Sequence, residues 1–280
     1  MTKGTLYLIS TPIGNLKDIS ERALDILNQV QILACEDTRN SQKLIGLLGV
    51  SGSKKMLAYH EYNADKMRPK LLSILENGQD IALVCDAGTP LISDPGYRLV
   101  RDCRNNDIPV VPVPGANAVL PALQLSGLPS DRFLFNGFLS AKKSARLSEL
   151  NELKSIPATL IFYESPHRVV DTLTDMLDVF GNRTASVVRE ITKKFEEAKT
   201  DLISNLIDFY QSQGLPKGEI VIVVDRPSEN QKDDVNISEL IAEELKTKTL
   251  RDAVDSVTQK TGLDRRKIYK QALELKNEQA

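Results

Sequence analysis

Between residues 86 and 96 the chain reads DAGTPLISDPG, and no lysine or arginine stands anywhere from 81 to 96. Asp86, Thr89, Ser93 and Asp94 offer mostly hydrogen-bond acceptors, Gly88 lets backbone approach closely, and Pro90 and Pro95 stiffen the segment. A phosphate cradle would need its lysine. An acidic loop instead suits a ligand with a positive group, such as an ammonium or a sulfonium; the plain alternative is a Gly/Pro turn that holds nothing. Other chemistry-bearing segments are Ser10-Thr11-Pro12-Ile13-Gly14-Asn15, Glu36-Asp37-Thr38-Arg39, His60-Glu61-Tyr62-Asn63 and Pro114-Gly115-Ala116-Asn117-Ala118. Together they supply carboxylates, an arginine, a histidine and amides, groups that can do acid–base work. Taken alone, Glu-Asp-Thr-Arg is usually a helix start with a solvated ion pair.

The elements around these segments explain why they matter jointly. The apolar run Ile81–Val84 stops at the acidic loop, as a buried strand of a parallel sheet does. Short strands are also expected at 5–10, 31–35, 56–60 and 109–113. Helices are expected between them, with Asp18 capping the first and others up to Gly49, at 65–76 and at 96–105. In a parallel sheet all five loops lie at the carboxyl ends of strands, along one edge, where open α/β sheets bind ligands. A second unit follows, with strands at 133–138, 158–163, 186–190 and 219–225 and helices near 142–154, 167–180 and 199–212. The alternation predicts two successive α/β domains, 1–118 and 119–227, with a cleft between them for a ligand. Residues 226–236 read as a polar linker. The segment 237–280 reads as a small helical extension in which a basic helix, capped by Asp264, follows the turn Thr261-Gly262-Leu263, the shape of a helix-turn-helix.

Composition sets the outer bounds. The 280 residues are 41% hydrophobic and 26% charged with a net charge of −2, ordinary for a soluble protein with an ample core. No segment resembles a signal peptide or a membrane span, and the cytoplasm is the expected compartment. Cys35, Cys85 and Cys103 show no paired spacing, so they are expected to pack as small apolar residues. Ala64 stands where a helical zinc motif begun by His60 would need its second histidine, so no metal is expected. The acidic balance argues against non-specific nucleic-acid binding but leaves room for local basic patches.

Taken in order, STPIGNLxDIS, CEDTR, HExN, CDAGTPLISDPG, VPGANA and FYESPHR resemble the motifs of the bacterial small-subunit ribosomal RNA methyltransferase I family, a branch of the tetrapyrrole methylase superfamily. The resemblance covers roughly residues 4–225, and the tail is similar to that family's helical extension. It implies the class III methyltransferase fold, two α/β domains holding S-adenosyl-L-methionine in their cleft, and a homodimer. The implied reaction is 2′-O-methylation of the ribose of a cytidine in the decoding region of 16S rRNA, within the small ribosomal subunit. The implied cofactor contacts are Pro12, Asp86, Ala87, Gly88, Thr89, Ile92, Ser93, Ala116, Asn117 and Ala118. From the second domain it adds Phe162 and Tyr163, with Lys217, Gly218 and Glu219 on the adenine side.

A ribose hydroxyl is a poor nucleophile, so a positioned base is expected to help. Glu36, Asp37 and His60 are the candidates, with Arg39 and Asn63 orienting ribose or phosphate. Lys142, Lys143 and Arg146, and in the tail Arg265, Arg266, Lys267 and Lys270, are the basic clusters available to RNA; solubility charges are their simpler reading. Two competitors remain open. One is a methylase of the same superfamily acting on a tetrapyrrole, another small molecule or a modified protein histidine. The other is a DNA-binding regulator with a ligand-sensing α/β body.

Overall fold

The computed structural model describes residues 2–92, 96–214, 216–227, 237–261 and 265–278. Two compact units divide at Arg226/Pro227. The first contains two five-stranded sheets.

The first sheet is built from β1 (Leu6–Ile9), β2 (Ile32–Cys35), β3 (Lys55–Ala58), β4 (Ile81–Val84) and β5 (Val110–Val113), in the order β3-β2-β4-β1-β5. All its pairings are parallel. Side-chain alternation along β4 shows why its run is apolar throughout. Ile81 and Leu83 pack with Leu71, Leu75, Leu99 and Cys103 of α3 (Ala64–Glu76) and α4 (Tyr97–Asn105). Ala82 and Val84 face the other way, onto Ala23, Ile26, Leu27 and Ile45 of α1 (Glu21–Gln29) and α2 (Thr38–Leu47). With helices on both faces, the strand needs no polar side.

The second sheet comprises β6 (Phe133–Phe138), β7 (Thr159–Glu164), β8 (Thr184–Arg189), β9 (Glu197–Leu202) and β10 (Ile220–Val224), ordered β6-β7-β10-β8-β9. Only β6 and β7 run parallel; the other pairings are antiparallel. One face is covered by α6 (Lys143–Leu153), α7 (Val169–Phe180) and α8 (Ile203–Gln213). The other carries α5 (Val119–Ser126) and Ile13 from the first loop, packed with Ile161, Val188, Val221 and Val223.

In the second unit α9 (Ile237–Leu245), α10 (Leu250–Thr261) and α11 (Arg265–Glu278) close over Ile241, Val254, Val257, Ile268 and Ala272. Most of the linker and the turn with its Asp264 cap lie outside the described residues.

Three expectations are corrected. The cap of α1 is Ser20, whose Oγ accepts from the Ala23 N–H; Asp18 instead ends a 3-10 turn, Leu16–Asp18. The third strand stops at Ala58, leaving His60 in the following turn. The segment 197–202 is not the start of a helix but the edge strand β9, which pairs with β8 alone. Its sequence, EAKTDL, is mostly polar because an edge strand buries little, and so it carries no apolar run to detect.

Candidate active site

The adjacent strands β4 and β1 of the first sheet send out loops that are clasped together. Thr11 N–H donates to Gly88 O at 2.8 Å, and Gly88 N–H donates back to Thr11 O at 3.0 Å. Thr11 Oγ1 also donates to Cys85 O at 3.1 Å. The clasp requires Gly88 at φ +85°; an added Cβ there would make only ordinary contacts, with Ile13 Cγ2 at 3.5 Å and Ala116 O at 4.0 Å. Glycine is therefore set by the left-handed backbone rather than by crowding from the protein. The β5 loop joins from the other side, where Thr89 Oγ1 donates to Ala116 O at 3.1 Å. At Gly115 a Cβ would lie 2.9 Å from that of Ser10. Asn117 Oδ1 accepts the Leu120 N–H at the start of α5.

These loops form one wall of a cleft of about 370 Å³, within the range of small-molecule sites. Ile13, Ala87, Thr89, Ile92, Asn117 and Ala118 line that wall. The facing wall comes from the second sheet: Phe138, Tyr163 to Pro166, and Gly218 to Val221. Among the described residues the lining holds two carboxylates, Glu164 and Glu219, and no lysine or arginine. Glu164 is buried at 3% exposure, accepting from the Ser165 N–H at 2.7 Å and from Thr172 Oγ1 at 2.6 Å, and it is paired with Arg168 Nε at 3.4 Å, so its charge is spent on the α7 side. At the rim, Lys193 Nζ bridges Glu190 (3.0 Å) and Glu219 (3.1 Å). That hydrogen bond holds the Glu190 carboxyl below its usual range.

Eight of the expected cofactor residues line the cleft: Ala87, Thr89, Ile92, Asn117, Ala118, Tyr163, Gly218 and Glu219. Gly88, Pro12 and Ala116 stand behind them in the loops, and Asp86 is exposed beside the cleft. Lys217 is exposed and outside the lining, and Ser93 lies outside the described residues. Phe162 is displaced from the expected site. It is fully buried in the core under α7, because strand alternation turns it away from the cleft as it turns Tyr163 in. Ile13, Phe138, Glu164, Ser165, Pro166, Ile220 and Val221 are additions that the residue-by-residue reading missed. Glu164, Ser165 and Pro166 stood in plain view inside FYESPHR; Phe138, 59% exposed, had no signal beyond being an aromatic at a strand end.

The three acid–base candidates and the two orienting residues, Arg39 and Asn63, share the edge but not the cleft, since none of the five lines it. Asp37 caps α2, accepting from the Arg39 and Asn40 N–H groups. The bond from the Arg39 backbone, above all, holds its carboxyl below the usual range. Arg39 pairs with Asp37 at 3.5 Å with its side chain 91% exposed, and Glu36 is exposed beside them. This loop touches the ligand loop: Asp37 N–H and Asn40 Nδ2 donate to the two oxygens of Asp86, at 3.3 and 2.7 Å. His60 and Asn63 sit one strand farther out, after β3. Asn63 is spent on its own turn, accepting from His60 N–H at 2.9 Å and donating to Ala58 O at 3.0 Å. His60 Nδ1 is buried without a hydrogen-bond partner among the described residues.

Of the basic clusters, Lys142 and Lys143 are exposed, Lys143 pairing with Asp175 at 3.3 Å. Arg146 is withdrawn from the surface. It is 5% exposed and its Nε and Nη2 hold Asp175 Oδ2 at 2.7 and 2.6 Å, so its guanidinium ties α6 to α7. In the tail Arg265, Arg266 and Lys270 are exposed, and Arg265 pairs with Asp255 at 2.6 Å; the Lys267 side chain is outside the described residues. The described residues contain no metal-ligand cluster and no helix long and apolar enough to cross a membrane.

A family model of the tetrapyrrole (corrin/porphyrin) methylases matches residues 5–207. The ribosomal RNA small subunit methyltransferase I of Mesorhizobium japonicum is 46% identical over 97% of this chain and 92% of its own length. The protein of the same name from Pseudomonas aeruginosa is 42% identical over 98% of both chains. Among solved structures, uroporphyrin-III C-methyltransferase from Thermus thermophilus, complexed with S-adenyl homocysteine, superposes with a TM-score of 0.55 at 16% identity. That alignment covers 79% of this chain and 97% of the other, and it is a likeness of fold.

Proposed function

Because the chain belongs to the tetrapyrrole methylase family, and within it to the ribosomal RNA small subunit methyltransferase I group, we propose that it methylates the ribose 2′-hydroxyl of a cytidine in 16S rRNA, using S-adenosyl-L-methionine. The observation that carries this reading is the cleft itself, walled on both sides largely by apolar side chains and free of lysine and arginine among its described lining, with Asp86 exposed beside it. A ligand with a sulfonium and an ammonium and no phosphate fits those donors and acceptors. When bound, that cofactor supplies an electrophilic methyl group whose departure leaves a neutral thioether.

The chain's own residues do the rest. The Thr11–Gly88 clasp fixes one wall, and Asp86, held by Asn40, contributes negative charge beside it. Ile13, Phe138 and Tyr163 give the cleft apolar surface for the cofactor. Alignment of two reactants in such a site accounts for much of the rate, with effective molarities of about 10⁵–10⁸ M. Glu36, Asp37 and His60 remain the groups able to take the ribose proton. Asp37 is ionised at neutral pH but is a weakened base, because its cap bonds favour the charged form. Arg39, exposed beside it, is available to an RNA phosphate. Within the same reading the enzyme acts in the cytoplasm on the small ribosomal subunit and as a homodimer. The exposed apolar residues Leu120, Leu125 and Phe133 support the last point.

Tritium from labelled cofactor should appear in 16S rRNA, on ribose. The adjacent phosphodiester should then resist alkali, since the blocked hydroxyl can no longer attack it. A 2′-deoxy nucleotide at the target should accept no methyl at all. Methyl on a base atom, or full incorporation into the deoxy substrate, overturns the ribose assignment. Transfer to a tetrapyrrole or a protein histidine instead of RNA would favour the competing methylase readings.

A further inference from the structure

A chain of net charge −2 must hold RNA through local charge. One such concentration lies on an element outside the basic clusters considered so far. Helix α4 begins at Tyr97, directly after the Asp86–Gly96 loop. Leu99 and Cys103 face the core, and the opposite side of the helix exposes Arg98, Arg101 and Arg104. The neighbouring α3 adds Lys66, Arg68 and Lys70, so the two helices carry six cations against three carboxylates, Asp65, Glu76 and Asp102.

The existing partners of these arginines are weak competitors. Arg98 reaches Asp65 at 3.3 Å as a solvent-exposed pair, Arg101 lies 3.9 Å from a half-buried Asp102 that Arg68 already holds at 2.8 Å, and Arg104 makes no ion pair among the described residues. Exposed pairs of this kind contribute little and exchange readily for a phosphate. An aromatic stands at the cleft end of the row. The Tyr97 ring is 61% exposed, with the Arg98 guanidinium 5.8 Å from its centroid and the Arg98 Nε donating to the Tyr97 hydroxyl at 3.1 Å. A flat ring backed by a guanidinium is a stacking platform for an unpaired base.

We propose that the exposed face of α4, led by Tyr97 and Arg98, is a docking surface for single-stranded RNA next to the cofactor loop. The inference rests on the RNA reading above and adds where the polyanion lies. A helix that follows a parallel strand runs back from the site edge. Tyr97 therefore marks the near end, and Arg104, about 10 Å along the axis, the far one. The strand would leave the cleft along α4, its phosphates on the three arginines and a base on Tyr97.

The test uses the full-length protein with Arg98, Arg101 and Arg104 all changed to Gln, and separately Tyr97→Ala. Binding to 16S rRNA is measured across a salt series, methylation on assembled small subunits, and cofactor binding by calorimetry. The triple variant should bind RNA about tenfold or more weakly at low salt, and its plot of log affinity against log salt should be shallower by about 2. KM for the subunit should rise with kcat retained, and cofactor affinity should stay at the wild-type value, which also certifies the fold. Tyr97→Ala should weaken RNA binding with the salt slope unchanged. Wild-type RNA affinity and slope in the triple variant, with the parent enzyme active on RNA, overturn the docking surface and leave the function standing. A change confined to sedimentation, from dimer to monomer, assigns the face to a second copy and likewise overturns it. A parent protein that neither binds nor methylates 16S rRNA removes the functional reading, and the docking surface falls with it.

Discussion

Asn40, in the first turn of α2, donates from Nδ2 to Oδ2 of Asp86 at 2.7 Å, so the ligand loop after β4 is held by the helix after β2. The contact exists because β2 and β4 are neighbours in the sheet although 46 residues separate the two side chains. Asn40→Ala removes a donor from a carboxylate that still has the Asp37 N–H. The expected cost in stability is roughly 0.5–1.5 kcal/mol, with a larger relative loss of cofactor affinity as the 86–92 segment loosens. Thermal unfolding and calorimetry on the same sample check both. Unchanged cofactor affinity would show that the loop keeps its place without Asn40.

Gly88→Ala should act through the backbone. A residue with a Cβ held at φ +85° costs about 1–3 kcal/mol, and relief of that strain would break the two-way bonds to Thr11. The variant should lose cofactor binding while its far-UV circular dichroism stays near wild type. Retained affinity in the folded variant would remove the clasp from the site.

Arg146 separates charge that binds from charge that supports. Arg146→Ala leaves Asp175, 1% exposed, without its guanidinium, and Lys143 reaches that carboxylate only from outside. A loss of about 3–5 kcal/mol is expected, seen as a lower denaturation midpoint. The salt dependence of RNA binding, measured where the variant is folded, should not change. Lys142→Gln should show the reverse pattern, with stability kept and the salt slope reduced.

The Asp37 cap sets a pH dependence whose sign is fixed. Its carboxyl titrates lower in the folded chain than in the unfolded one, chiefly through the Arg39 N–H. Its contribution is therefore complete above the ordinary carboxylate range and is lost as pH falls through the folded value. Wild type and Asp37→Ala should differ in stability at pH 7 and converge in strongly acidic solution. Asp37→Asn, which keeps the cap acceptor, should lie close to wild type in stability; a large fall in its turnover at unchanged cofactor affinity would identify Asp37 as the base.

Much of this protein was legible along the chain. Short apolar runs located nine of the ten strands among the described residues, and DAGTP with its missing lysine pointed to a loop beside the cleft. The exception, β9, has the polar sequence of an edge and pairs on one side only. The six ordered motifs placed the chain in its family, which the comparisons show.

Strand order and side-chain direction were decided by the tertiary structure. Loops drawn as one converging set are divided by a sheet order in which β4, β1 and β5, whose loops reach the cleft, lie together and β3 lies at the opposite edge. Asp37 and Asn40 thereby meet Asp86, while Asn63 turns inward on its own loop. Phe162 and Tyr163 are adjacent in sequence, and a half-pleat sends one to the core and the other to the cleft. Arg146 reads as a surface cation beside Lys142 and Lys143 until α7 brings Asp175 against it. Local sequence determines which segments are strands, helices and turns, because propensity and periodicity act over a few residues. Which side chains face one another is settled by the packing of whole layers, through contacts between residues far apart in the chain.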